Sequence, residues 1–375
     1  MKRIIVLVLL FTILIGCTPE TEPPVVRPST DPTAPPTDPT DPLDPLLLLL
    51  DSMTLEEKVG QLFLARCPST NAAEDAQKYH LGGYILFARD FENETPDSVR
   101  AAISSYQAAA SIGMLIAVDE EGGSVTRVSQ FKAFRDKKFD SPRYLYDKGG
   151  LPLIRQTEAE KCQLLSSLGI NVNVGPVCDV TTDRNAFMYN RSLGQNPQIT
   201  GQFAAMMVEV QAENKIGGIL KHFPGYGNNT DTHVAIAVDN RSLSQLESND
   251  LVPFATAIEA GCDAIMVSHV YINALDNTLP ATLSPAVHRY LRETMGFDGV
   301  IVTDDLVMDA ITKTYGAGEA AVLAVLAGND LLCSTEYAVQ YEAVLQAVKD
   351  GLISMEQLNS SVLRLLRWKQ ALDLI

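Results

Sequence analysis

The run Gly299-Val300-Ile301-Val302-Thr303 reads as a buried strand, and it delivers the pair Asp304-Asp305 to its exit. Upstream, Lys221-His222-Phe223-Pro224-Gly225-Tyr226-Gly227 places a cation and a ring donor at another strand exit. Pro and Gly then force a turn, and Asp231-Thr232-His233 follows. A carboxylate two residues from an imidazole can fix the ring tautomer and stabilise the imidazolium, so His233 can give and retake a proton near neutral pH. Asp304 is the candidate nucleophile. A carboxylate that captures an anomeric carbon, with a partner that protonates the departing oxygen, is the pairing that glycoside cleavage requires. Asp304 could instead cap the next helix, and Asp305 is the other claimant to either role. Lys221 and His222 are placed to bind sugar hydroxyls, although Lys221 could pair with Asp304 or Asp119. Asp119-Glu120-Glu121-Gly122-Gly123 joins acceptors to glycines that permit close backbone approach.

These residues need a frame that brings strand ends together. Eight short apolar segments recur: 61–66, 84–88, 114–119, 172–179, 218–222, 264–269, 300–304 and 330–333. Helical periodicity fills the stretches 153–168, 198–214, 243–260 and 285–295, and 355–372 has the pattern of a closing helix. The spacing predicts an α/β fold, a single-domain TIM (β/α)8 barrel with a long third loop. An open doubly wound sheet uses the same alternation. The barrel is favoured because Asp119, Asp179, Lys221, His222, His269 and Asp304 all fall at strand C-terminal ends, which converge on one face of a barrel. Thr54 and Glu57 have capping-box spacing at the start of the first amphipathic helix, and the leucines 46–50 read as a short core helix.

The N-terminal residues are different in kind. Lys2 and Arg3 precede an apolar run from Ile4 to Ile15, too short for a comfortable membrane span, which reads as an export signal over residues 1–16. Leu14-Ile15-Gly16-Cys17 resembles a bacterial lipobox, which implies cleavage before Cys17 and its lipidation. The protein is then expected outside the cytoplasm, held on the outer face of the membrane. Residues 17–45, rich in Pro, Thr and Asp, form a tether, and 46–375 the folded body. The formal charge of −17 disfavours nucleic acid as a partner and favours a neutral substrate. No CxxC pair exists, so Cys67, Cys162, Cys178, Cys262 and Cys333 are expected to be buried thiols rather than metal ligands.

From Met53 to the C-terminus the chain resembles glycoside hydrolase family 3, specifically its single-domain β-N-acetylglucosaminidase branch. The likeness rests on Met53-Thr54-Leu55-Glu56-Glu57-Lys58, Asp119 with Glu121-Gly122-Gly123, and Arg127. It continues through Gly175-Pro176-Val177 with Asp179, Asn190-Arg191-Ser192-Leu193-Gly194, Lys221-His222-Phe223-Pro224-Gly225, Asp231-Thr232-His233, and Thr303-Asp304-Asp305-Leu306. The resemblance implies a retaining double displacement without metal or organic cofactor. In it Asp304 forms the glycosyl intermediate, His233 is acid then base, and Asp231 tunes it. Asp119, Arg127, Arg191, Lys221 and His222 would bind a terminal N-acetylhexosamine of cell-wall fragments or related glycans. Tyr226 and Ser124 depart from the family pattern, which usually has His and Arg there. Phosphorolysis, β-glucosidase activity and a two-lobed, lipid-anchored sugar-binding protein are the alternatives.

Overall fold

The computed structural model describes residues 44–227 and 236–375. The signal, Cys17, most of the tether, and Asp231-Thr232-His233 lie outside the described residues.

The strands are β1 (Phe63–Arg66), β2 (Gly83–Leu86), β3 (Leu115–Val118), β4 (Val172–Asn173), β5 (Gly217–Phe223), β6 (Val238–Asp239), β7 (Ala264–Val267), β8 (Tyr271–Ile272), β9 (Val300–Thr303) and β10 (Leu332–Ser334). Eight of them form one parallel sheet in the order β10-β1-β2-β3-β4-β5-β7-β9. The parallel bridge Val302↔Leu331 brings its two ends together, and Thr303 N–H donates to the Leu331 carbonyl at 3.0 Å. The sheet is a TIM barrel, with helices between successive strands. The two-lobed alternative is a different fold. Strands β6 and β8 form a separate ladder outside it.

Alternation along the strands explains the layering. Leu115 and Ala117 of β3 join Leu64, Val172, Ile219, Met266 and Val302 in the barrel interior. Ile116 and Val118, one residue out of phase, pack into the surrounding cluster with helix residues such as Ile103 and Leu165. Side chains two apart along a strand share a face, so uniformly apolar strands suit a sheet covered on both sides. All five body cysteines are free and buried.

Each segment expected as a barrel strand overlaps one, with β4 shortened to two residues and β5 one residue longer at each end. The helices differ more. The 153–168 helix is the second half of Pro142–Ser167, which is interrupted at Gly150 (φ 64°, ψ −160°). The 243–260 helix is two, Leu243–Ser248 and Leu251–Glu259, because Asn249 leaves helical geometry at φ −129°. The 285–295 stretch begins as an α-helix, Pro285–Arg289, and ends in a π-turn, Tyr290–Thr294. The Thr54/Glu57 capping box forms as expected, with Glu57 N–H donating to Thr54 Oγ1 and Thr54 N–H to Glu57 Oε2. The leucine helix, Pro45–Ser52, buries Leu46 and Leu50 and leaves Leu47 and Leu48 exposed.

The closing helix, Met355–Ala371, plugs the N-terminal end of the barrel. Its Leu365 and Trp368 complete the interior cluster, and Trp368 stands so close to Gly217 that a Cβ there would lie 2.8 Å from the indole. The next residue, Lys369, is fully buried and donates to Gln61 Oε1 at 2.6 Å. Burial pushes its ammonium down to about 7, against an ordinary lysine near 10.5. Between those values the unfolded chain carries a proton the native protein lacks, so this group makes stability rise with pH from about 7 to 10.5; below 7 its burial penalty is undiminished. From pH 7 to pH 9, wild type should gain on the order of 2 kcal/mol relative to Lys369→Met in urea unfolding. A difference that does not change with pH would show that Lys369 stays charged.

Candidate active site

The strand C-terminal ends surround a cavity of about 610 Å³. Asp119 lines it from the end of β3, Lys221 and His222 from β5, Asp304 from the end of β9, and Arg127 and Arg191 from the loops after β3 and β4. Six side chains expected to bind sugar or react with it thus share one cavity, although their positions in the chain span 119 to 304.

Electrostatics holds them there. Lys221, 2 % exposed, places its Nζ 2.6 Å from Asp119 Oδ1 and 2.7 Å from Glu121 Oε1. Burial disfavours its charge, but the two carboxylates more than compensate and hold the ammonium above its usual range. Glu121 also receives Arg191 through both Nε (3.0 Å) and Nη2 (2.7 Å), a fork that fixes guanidinium orientation. Burial works against the Glu121 carboxylate too, yet Lys221 and Arg191 together keep it well below the usual glutamate range. Arg191 Nη2 stands 3.3 Å from His222 Nε2. His222 Nδ1 lies 2.8 Å from Asp179 Oδ2, and Asp179 Oδ1 accepts the Tyr226 N–H at 2.7 Å. Asp179 therefore fixes both the ring and the turn after it. Tyr226 is itself buried, its ring edge-on to His222 with centroids 5.1 Å apart.

Two long loops supply the arginines, and each is pinned by a polar anchor. Glu120, fully buried, accepts the N–H groups of Arg127 and Val128, both at 2.8 Å, and the Ser129 hydroxyl. Its own backbone exchanges hydrogen bonds with the Asn173 amide on β4. In the next loop, Arg143 donates to the Thr181 carbonyl and the Ser192 hydroxyl and stacks on Tyr189, 3.8 Å from its centroid.

The two aspartates after β9 are not equivalent. Asp305 accepts from the Thr335 hydroxyl at 2.6 Å and from the Val307 and Thr335 N–H groups. Burial raises its carboxyl above the ordinary range despite those donors. Both line the cavity, and Asp304 Oδ1 accepts the Asp305 N–H at 2.9 Å. His269, expected only as a strand-end polar residue, is fully buried between the Thr282 hydroxyl and the Asp305 carbonyl.

Three contributors were not singled out as site residues from sequence. Glu121 and Asp179 were visible as motif members, but their roles depend on which cations fold against them. Arg66, on β1, gave no signal. It lines the cavity with its guanidinium 4.5 Å above the Phe87 ring and forms no ion pair among the described residues.

The model of the glycosyl hydrolase family 3 N-terminal domain matches residues 54–368, and the chain belongs to that family. It is 35% identical over 293 residues to a beta-hexosaminidase of Stenotrophomonas maltophilia, covering 73% of this chain and 84% of that protein. It is 30% identical over 331 residues to beta-hexosaminidase A of Pseudoalteromonas piscicida, covering 80% of this chain and 55% of the relative, so the match spans about half of that longer protein. A solved family 3 β-N-acetylglucosaminidase from Paenibacillus superposes with a TM-score of 0.81 at 34% identity, covering 86% of this chain and 63% of that one.

Removing one partner of a buried ion pair strands the other charge, so Glu121→Gln should destabilise the fold by about 3 kcal/mol, measured by urea unfolding at pH 7. The stabilisation should persist at pH 4.5, because the folded Glu121 carboxyl titrates well below that pH, and disappear only on further acidification. Loss of the difference at pH 4.5 would contradict the depressed titration.

Proposed function

We propose that this chain is an exo-acting, retaining β-N-acetylhexosaminidase. The observation that carries the reading is the convergence of Asp304 with Asp119, Arg127, Arg191, Lys221 and His222 on one cavity, in a chain whose relatives include proteins named beta-hexosaminidase. The carboxylates and cations offer acceptors and donors to the hydroxyls of a single terminal sugar.

In the proposed reaction Asp304 attacks the anomeric carbon while His233 passes a proton to the departing glycosidic oxygen, leaving a glycosyl ester on Asp304. His233 then takes a proton from water, and the water oxygen displaces the carboxylate with net retention. Asp231 orients the imidazole and stabilises its cationic form. No step requires a metal or an organic cofactor.

The proposed substrates are cell-wall fragments ending in N-acetylhexosamine. Arg66 supports this choice, because a guanidinium in the cavity wall suits a carboxylate on the neighbouring sugar. The proposed location is the outer face of the membrane, through lipid on Cys17.

Release of chromophore from an aryl β-N-acetylglucosaminide, beside the matching β-glucoside, tests the activity. Wild type should prefer the N-acetyl sugar, Asp304→Ala should lose about 10³-fold or more in kcat, and His233→Ala about 10²-fold. In the same assay a wall-derived disaccharide with an acidic second sugar should be cleaved with a lower KM than neutral chitobiose. Absence of wild-type turnover of both aryl sugars would sink the reading. For the anchor, Cys17→Ala should move the protein from the membrane fraction to the soluble one. An unchanged distribution would refute lipidation there.

A further inference from the structure

We propose that Arg241, acting through Asp239 and Asp250, is a positioning residue for proton transfer, fastening together the two flanks of the segment that carries Asp231 and His233. The inference rests on the function proposed above. Gly227 and Ile236 flank residues 228–235, and the chain on either side meets the same guanidinium.

On the C-terminal flank, Asp239 of β6 receives Arg241 Nε at 3.1 and 3.0 Å, Nη2 at 2.6 Å and the Arg241 backbone N–H at 2.9 Å. β6 is in turn fixed by its ladder with β8. The remaining arm of the guanidinium, Nη1, reaches Asp250 at 2.5 Å, and the Asp250 side chain is fully buried at the head of helix Leu251–Glu259. On the N-terminal flank the contact is made by absence of side chains. A Cβ on Gly225 (φ 116°) would fall 2.7 Å from the Asp250 carboxylate, and one on Gly227 (φ 56°) 2.5 Å from Arg241 Nη2. These two glycines supply both the left-handed backbone and the space that let the turn rest on the ion cluster.

The turn is bound on another side by Asp179, which takes the Tyr226 N–H and also holds His222. The turn Gly225-Tyr226-Gly227 thus lies against Arg241 and Asp250 on one side and against Asp179 and the cavity-lining His222 on another, while Arg241, Asp239 and Asp250 do not line the cavity. Their service to the reaction is indirect. They hold the two described flanks, Gly225–Gly227 and Val238–Asp239, between which Asp231 and His233 fall in sequence. Lysine in place of Arg241 keeps one charge but cannot hold two carboxylates with a planar fork.

The test exploits leaving-group chemistry. A dinitrophenolate departs without a proton, whereas a sugar alkoxide needs one, so an acid that is poorly placed slows only the second. kcat/KM, which reports the first chemical step, would be measured for wild type, Arg241→Lys and His233→Ala on 2,4-dinitrophenyl β-N-acetylglucosaminide and on chitobiose. Arg241→Lys should lose about 30- to 100-fold on chitobiose and less than about threefold on the dinitrophenyl glycoside, in the pattern of His233→Ala. Asp239→Asn, which keeps side-chain shape, should show the same asymmetry and serves if Arg241→Lys fails to fold by circular dichroism. Equal losses on both substrates, or no loss on chitobiose, would overturn the positioning role. Absence of wild-type turnover on both would overturn the proposed function itself, and this inference with it.

Discussion

The site depends on keeping the Lys221 ammonium charged while it is almost out of contact with water. A buried ammonium is tolerated only with charged partners and good geometry, and here two carboxylates lie within 2.7 Å of Nζ. That requirement ties β5 to the residues just after β3. Glu121, already committed to Lys221, then has a second oxygen and an outer edge to offer, and Arg191 takes both through its fork. Arg191 brings the loop after β4 against His222, and Asp179 sets His222 from the other nitrogen. One desolvated cation thus imposes order on three consecutive strand ends.

The pinning of the loops follows the same logic at one remove. Glu120 and Glu121 are neighbours with opposite assignments. Glu121 turns to the cations of the cavity, while Glu120 turns away and collects the N–H groups of the segment that presents Arg127. Its side-chain hydrogen-bond donors among the described residues are backbone N–H groups and a hydroxyl, so they fix the course of the loop. A loop is a poor place for an exact constellation unless its backbone donors are satisfied from within. Here a buried carboxylate does that.

The barrel was legible because short apolar runs and strand-end charges are local properties. Leu115 through Asp119 shows both in five residues. The cavity residues were legible where a motif placed a polar group at a strand exit, as with Asp119, Lys221, His222 and Asp304. Arg66 was not, because a lone arginine ending a four-residue strand looks like any solvated strand terminus until Phe87 folds beneath it. The break at Asn249-Asp250 was hidden for a related reason. The helical pattern continues through it, and only the arrival of Arg241 explains why Asp250 is buried there. Interactions between residues distant in sequence, or between residues whose pairing depends on a turn, leave no periodic trace.

The pair Asp304-Asp305 shows how position along a strand exit separates two identical side chains. Both line the cavity, but their hydrogen-bond partners differ. Asp305 meets the Thr335 hydroxyl and N–H after β10 and the Val307 N–H after β9, and its backbone carbonyl meets His269. It joins the ends of β7, β9 and β10. In doing so it also presents its own N–H to Asp304 Oδ1, which limits the rotation of the cavity carboxylate. A nucleophilic carboxylate gains from such restraint, since attack on an anomeric carbon demands one approach direction and thermal rotation would dilute it. The second aspartate therefore contributes to the first: burial and three donors fix Asp305, and the Asp305 N–H restrains Asp304.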